Sequence, residues 1–134
     1  MLRYLLDTNL CIRVLRERPA DLRHRFNAEA AGLCTSSIVA YELLFGAEKS
    51  DRPEHHRRQV ENFLERLVVL DFDVSAAAHA GEIRGILQRR GTMIGAYDLL
   101  IAGHARSRGL TLVTGNLGEF SRVEGLRCED WTVD

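Results

Sequence analysis

Three acidic residues stand in apolar company. Asp7 closes the stretch LLDTN, Glu42 lies inside IVAYELLFG, and Asp98 lies inside IGAYDLLIAGHA. A lone carboxylate is costly to bury, so such groups are paired, protonated or bound to a cation. Three brought together repel and raise each other's pKa, and a divalent cation removes that conflict. All-oxygen ligands suit Mg²⁺ or Mn²⁺, with waters completing the octahedron. An ion held in this way serves phosphoryl chemistry, because it stabilises charge on a phosphate and generates a hydroxide nucleophile. Taken singly, each residue has a plainer reading. Asp7 before Thr-Asn is a helix N-cap, Glu42 can pair with an arginine, and Asp98 suits the first turn of a helix. Asn116, in the TGN of Thr114 to Asn116, reads alone as a turn residue. The order of these residues, at strand exits and within apolar helices, favours one shared site.

The elements that must position them alternate. LRYLL (2–6) reads as a short buried strand, and Thr8 to Arg18 as a helix with Leu10, Cys11, Val14 and Leu15 at helical spacing. Pro19 punctuates, and a second helix runs to about Ala30. GLCTS (32–36) is a strand, and Ser36 or Ser37 caps the helix 38–49. Pro53 opens a further helix carrying Val60, Phe63, Leu64 and Leu67. LVVLDF (67–72) is a strand, residues 74–91 a long helix ending at Gly91, and 97–109 a helix closed by Gly109. LTLVT (110–114) is a strand, GNLGEF a turn, and LRCEDW (126–131) a last short strand. Alternating strands and helices call for α/β architecture, with a parallel sheet covered on both faces. Ligand sites in such sheets gather at the carboxyl ends of the strands, where Asp7 and Thr114 fall.

The chain has 134 residues, 46% apolar and 28% charged, which suits one domain (1–134) with a single core. No apolar run approaches a membrane span, and no basic-then-apolar leader opens the chain. Cys11, Cys34 and Cys128 are too scattered for a disulfide framework or a zinc knuckle, which fits a reducing cytoplasm. The net charge of −1 names no partner, but 17 of the 18 basic residues are arginine. Arginine forks suit phosphate, and a GC-rich genome gives the same bias. Arg13, Arg16, Arg18, Arg23, Arg25, Arg57 and Arg58 form clusters that read as phosphate-facing patches or as solvated helix faces.

Other polar residues point less clearly. His55 and His56 sit in a charged run, and His79 and His104 read as packing or surface residues. Glu82 pairs with Arg84 or a partner chain, or approaches the cleft. Glu119 stands behind the site or in solvent, and Asp73 caps a helix. A dehalogenase-type phosphatase using Asp7 as nucleophile wants a second aspartate at position 9, where Asn stands. A dinucleotide-binding domain wants GxGxxG after the first strand, which is absent.

The stretches LLDTN, SSIVAYELLFGAEKS, GTMIGAYDLLIAGHARSRGLTLVTGNLGEF and RVEGLRCEDW, in that order, resemble a PIN-domain ribonuclease. More narrowly they resemble the VapC toxins of bacterial type II toxin–antitoxin systems, and within those the subgroup that cleaves initiator tRNA in the anticodon stem-loop to halt translation. The resemblance implies a PIN-like three-layer α/β/α fold with a parallel sheet of four or five strands. It implies an endonuclease dependent on Mg²⁺, with Mn²⁺ able to substitute. It places the metal on Asp7, Asp98 and Glu42, with Glu42 alternatively positioning the attacking water. Asn116, at a position acidic in many relatives, would hold the scissile phosphate or a ligand water. It also implies a homodimer and a VapB-like antitoxin that blocks the cleft and carries the complex to promoter DNA. The apolar faces of residues 10–15 and 38–45 are then candidate antitoxin surfaces, or plain core. A PIN-like binding module without catalysis is the alternative, against which the three intact acids speak.

Overall fold

Strand β1 (Tyr4–Leu6) is buried along its whole length, as expected of an apolar strand with neighbours on both sides and helices on both faces. The computed structural model describes residues 1–17 and 20–132. Arg18 and Pro19, read above as part of a basic cluster and a helix boundary, lie outside the described residues. β1 pairs in parallel with β2 (Leu33–Ser36) and with β4 (Thr111–Val113), placing Leu5 beside Cys34 on one side and Leu112 on the other. β3 (Val68–Leu70) and β5 (Cys128–Glu129) complete a five-stranded parallel sheet of order β3-β2-β1-β4-β5. Strands β1 to β3 run outward in one direction and β4 and β5 in the other, so the topological switch lies between β1 and β4. Ligand crevices open at that point.

The helices are α1 (Thr8–Leu15), α2 (Ala20–Ala28), α3 (Ser37–Glu48), α4 (Pro53–Glu65), α5 (Val74–Arg90), α6 (Ala96–Ser107) and α7 (Leu117–Phe120). α1 packs on α2 and α3, α3 on α4, and α5 on α6, and the right-handed rule for parallel crossovers sends the helices before β3 and those after it to opposite faces, giving the three layers. The stretch GNLGEF, read as a turn, contains α7. The difference is local chemistry: Asn116 Oδ1 accepts from the Glu119 amide at 3.3 Å and so caps a single helical turn. Of the two candidate caps for α3, Ser36 takes the role, accepting from the Ile38 amide at 3.1 Å. Ser37 instead accepts from the Phe72 amide at 3.0 Å. Gly91 ends α5 at φ +67°, the left-handed region that favours glycine.

Packing behind the sheet is close. A side chain at Gly103 of α6 would begin 2.5 Å from the Ala80 amide nitrogen of α5, so these helices meet backbone to backbone. On the other face Phe26 of α2 stacks on Phe63 of α4 at 5.7 Å. Between β2 and α6 lies a buried polar junction. His104 Nδ1 is 2.8 Å from Ser36 Oγ, Phe72 lies edge-on to the imidazole, and Nε2 has no partner among the described residues. Burial lowers the His104 pKa and keeps the ring neutral. The packing alternative for His104 is therefore the observed one. Glu82 reaches Arg106 at 2.6 Å rather than Arg84, and Arg106 also donates to His79.

Candidate active site

The carboxyl edge of the sheet gathers the acids from distant segments. Asp7 follows β1 directly and is 3% exposed. Its amide donates to Val113 O of β4 at 3.1 Å, and its Oδ1 accepts from the Leu10 amide at 2.8 Å. Asp7 thus caps α1 while standing at the switch point, and the two roles coexist. Burial raises its pKa most strongly. The Thr114 side chain, from the end of β4, and the Leu10 amide pull it down, while Glu42 and Asp130 push it up. Glu42 arrives on α3 and is held by the Thr8 hydroxyl, which donates to Oε1 at 2.6 Å. Asp98 stands in the first turn of α6, half-buried.

Asp98 shows how crowded the cleft is. Its pKa is pushed up to about 7, first by burial, then by a hydrogen bond and repulsion from Glu119, then by Asp7 and Glu42. Asp7 and Glu42 thus lie within electrostatic reach of Asp98, and Glu42 within reach of Asp7.

Asn116 is placed differently. It is exposed, its Oδ1 caps α7, and its Nδ2 donates to Glu119 Oε2 at 2.7 Å. Its amide reaches the acids through Glu119, which is the residue of this turn that faces Asp98. Two participants, Thr8 and Asp130, stand outside the candidates that the sequence offers, and a third, Glu119, has two readings there. The local signal of Thr8 is a hydroxyl directly after a strand-end acid. Only the α7 turn decides where Glu119 points. Asp130 follows β5, and nothing local marks it, since strand order alone brings β5 to the switch side of the sheet.

The donors are all hard oxygens. Among the described residues, no three His, Cys, Asp or Glu side chains converge closely enough to hold an ion by themselves. Mg²⁺-type ions are commonly held by one or two carboxylates with waters making up the rest, so the donor set fits such an ion. Its charge would also relieve the repulsion that raises Asp98.

A groove leads away from Glu42 between α1, α3 and α4, with Ile12, Leu15, Tyr41, Phe45 and Val60 among its lining residues. The candidate faces at 10–15 and 38–45 thus divide. Leu10, Cys11, Val14 and Val39 are core, Leu43 is core and also borders the groove, and Ile12, Leu15, Tyr41 and Phe45 line the groove. None of the described helices is long and apolar enough to cross a membrane.

The chain is similar over nearly its whole length to known proteins. The PIN domain family matches residues 4–126. The chain is 51% identical over 132 residues to the tRNA(fMet)-specific endonuclease VapC of Shigella flexneri, covering 98% of this chain and 100% of that protein. It superposes on a chain of the DNA-bound VapBC from Salmonella typhimurium with TM-score 0.94 and 53% identity, covering 98% of this chain and 99% of that one. VapBC2 from Rickettsia felis, bound to a promoter DNA fragment, gives TM-score 0.91 and 36% identity over 97% of this chain and 99% of that one. The chain belongs to the PIN-domain family and, within it, to the VapC ribonucleases.

Proposed function

We propose that this chain is an Mg²⁺-dependent endoribonuclease toxin that cuts initiator tRNA in its anticodon stem-loop and so halts translation. All 134 residues would act as one PIN domain. The observation that carries the reading is the gathering of Asp7, Glu42 and Asp98 at the switch point, at a range where repulsion helps push Asp98 to about 7. The tRNA(fMet)-specific relative at 51% identity supports the substrate.

Asp7 and Asp98 would hold the ion, with Glu42 completing the set or orienting the attacking water. When bound, the ion supplies charge stabilisation at the phosphate and a lowered pKa for water. The protein's own groups do the rest. Leu10 N–H and the Thr114 side chain fix the Asp7 carboxylate against the strand end. The Thr8 hydroxyl fixes Glu42, so that its carboxylate can take the proton of the water as it attacks phosphorus in line. The bond to the 3′ oxygen breaks, leaving a 5′-phosphate and a 3′-hydroxyl. Asn116 would act through Glu119, orienting that carboxylate toward Asp98. Arg13, whose Nε lies 3.9 Å from where a side chain at Gly115 would begin, is placed to steer the RNA backbone.

The antitoxin, VapB-like in this reading, would lie in the groove between α1, α3 and α4 with a basic side chain against Glu42. It would also carry a toxin homodimer to promoter DNA. The VapBC complexes of similar fold support this. The deciding experiment assays Asp7→Asn and Asp98→Asn on initiator tRNA with Mg²⁺ and, separately, with Mn²⁺. Both variants should lose cleavage, and wild-type rates in either would sink the assignment.

A further inference from the structure

Beside the acids lies a row of exposed rings that packing does not explain. Tyr97, Tyr41 and Phe45 are 43%, 50% and 54% exposed. Single exposed rings are ordinary, but a contiguous row marks a contact surface. Tyr41 and Tyr97 each stand one residue before an acid of the cleft, Glu42 and Asp98. Their hydroxyl oxygens are 3.2 Å apart and their ring centroids 5.5 Å apart, so α3 and α6 are tied together at the mouth of the site. The Tyr41 ring lies within 12° of parallel to Phe45 at 6.5 Å, and the Lys49 ammonium sits 5.4 Å from the Phe45 centroid. Arg16 and Lys49 both border the groove over which these rings run.

We propose that Tyr97, Tyr41 and Phe45 form a stacking platform for unpaired nucleobases flanking the scissile phosphate, with Lys49 taking a backbone phosphate at its far end. The proposal rests on the nuclease reading above and says what part of the RNA that site grips. Single-stranded nucleic acids are held by aromatic rings set along a basic track, because every base offers a flat face whatever its identity. Recognition of RNA commonly targets loop nucleotides that are free to unstack. The placement favours RNA over a peptide on two counts. The rings are continuous with the acids, so a strand whose phosphate lies in the cleft finds them beside its flanking bases. The row then ends at a cation, matching the next phosphates of such a strand. An antitoxin lying in the same groove would cover the platform and exclude the substrate.

The test uses an anticodon stem-loop RNA oligonucleotide carrying 2-aminopurine at successive loop positions, bound in EDTA so that it stays intact. The same oligonucleotide without the label is used for steady-state cleavage in Mg²⁺. Wild type should quench at least one loop position. Tyr41→Ala and Phe45→Ala should abolish that quench and raise KM roughly tenfold each, about 1.4 kcal/mol, while kcat falls less than threefold. Tyr41→Phe and Tyr97→Phe keep the rings and should retain the quench. These side chains are exposed, so the thermal midpoint should fall only slightly, through the lost Tyr41–Tyr97 contact, and a cooperative transition shows that folding is intact. Alanine variants with wild-type KM and quench overturn the proposal and leave the rings to a protein partner. If wild type cuts no RNA at all, the nuclease reading fails, and the quench still decides whether the platform binds bases.

Discussion

The acidic cleft and the α5–α6 contact behind the sheet are built on opposite terms. Behind the sheet, Gly103 meets Ala80 backbone to backbone, and the buried Ser36–His104 junction favours the uncharged ring. In the cleft, carboxylates from distant segments are held together although burial and mutual repulsion raise Asp7 and Asp98. The difference teaches where the folding free energy comes from. Close packing on one side holds α6 in place, and α6 carries Asp98 into a setting that it would not choose. A marginally stable chain tolerates such a site only because the rest of the fold offsets it.

If this contrast is right, substitutions in the two regions should act with opposite signs. Asp98→Asn should reduce kcat/KM for tRNA cleavage by about 10³-fold or more, roughly 4 kcal/mol of transition-state stabilisation. It should leave the thermal midpoint equal to or above that of wild type. A midpoint clearly below wild type would break the comparison. Gly103→Ala should do the reverse. Its new methyl group would begin 2.5 Å from the Ala80 amide, and forcing α5 and α6 apart should cost about 3 kcal/mol. Urea unfolding measures it, and wild-type stability would show that the contact is not the scaffold.

The pH dependence sharpens the same point. The folded-state pKa of Asp98 is raised from 3.8 to about 7, so the folded state holds the proton more tightly than the unfolded chain. The carboxyl is harmless below about 4 and weighs against folding increasingly as pH rises toward 7. Without divalent ions, the gap in thermal midpoint between Asp98→Asn and wild type should open across that window. Adding Mg²⁺ should raise the wild-type midpoint at pH 7 and close the gap. A gap that is flat with pH would mean that Asp98 is not crowded.

Smaller effects probe the edges of each region. Ser36→Ala removes the α3 cap and takes the partner from His104 Nδ1, which should cost about 1–2 kcal/mol in denaturant titrations. Arg13→Ala should leave stability unchanged and weaken RNA binding across sequences. The slope of log K against log salt should fall by about one unit. An unchanged slope would remove Arg13 from the phosphate path.

The strand–helix alternation and the three acids were legible in the sequence. A carboxylate in an apolar stretch is so costly that LLDTN, AYELL and AYDLL mark themselves without any structure. The parallel sheet was legible too, because short, largely apolar strands alternate with helices and the central β1 is apolar on both faces. The turn after β4 was less so. Reading GNLGEF as a turn hid the short helix that spends Asn116 on a cap and aims Glu119 at Asp98. The antitoxin faces were read as undivided strips, and only burial separated the core positions from Ile12, Leu15, Tyr41 and Phe45.

The sequence by itself determined which carboxylates cannot be ordinary surface groups, because the cost of desolvating a charge is set by its local apolar neighbours. Tertiary structure alone decided which groups face one another: Thr8 on Glu42, Glu119 on Asp98, Asp130 on Asp7, and Tyr41 beside Tyr97. Those pairings span up to 123 positions in the chain, between Asp7 and Asp130. They follow from the strand order and from where each helix starts, and no local pattern encodes either.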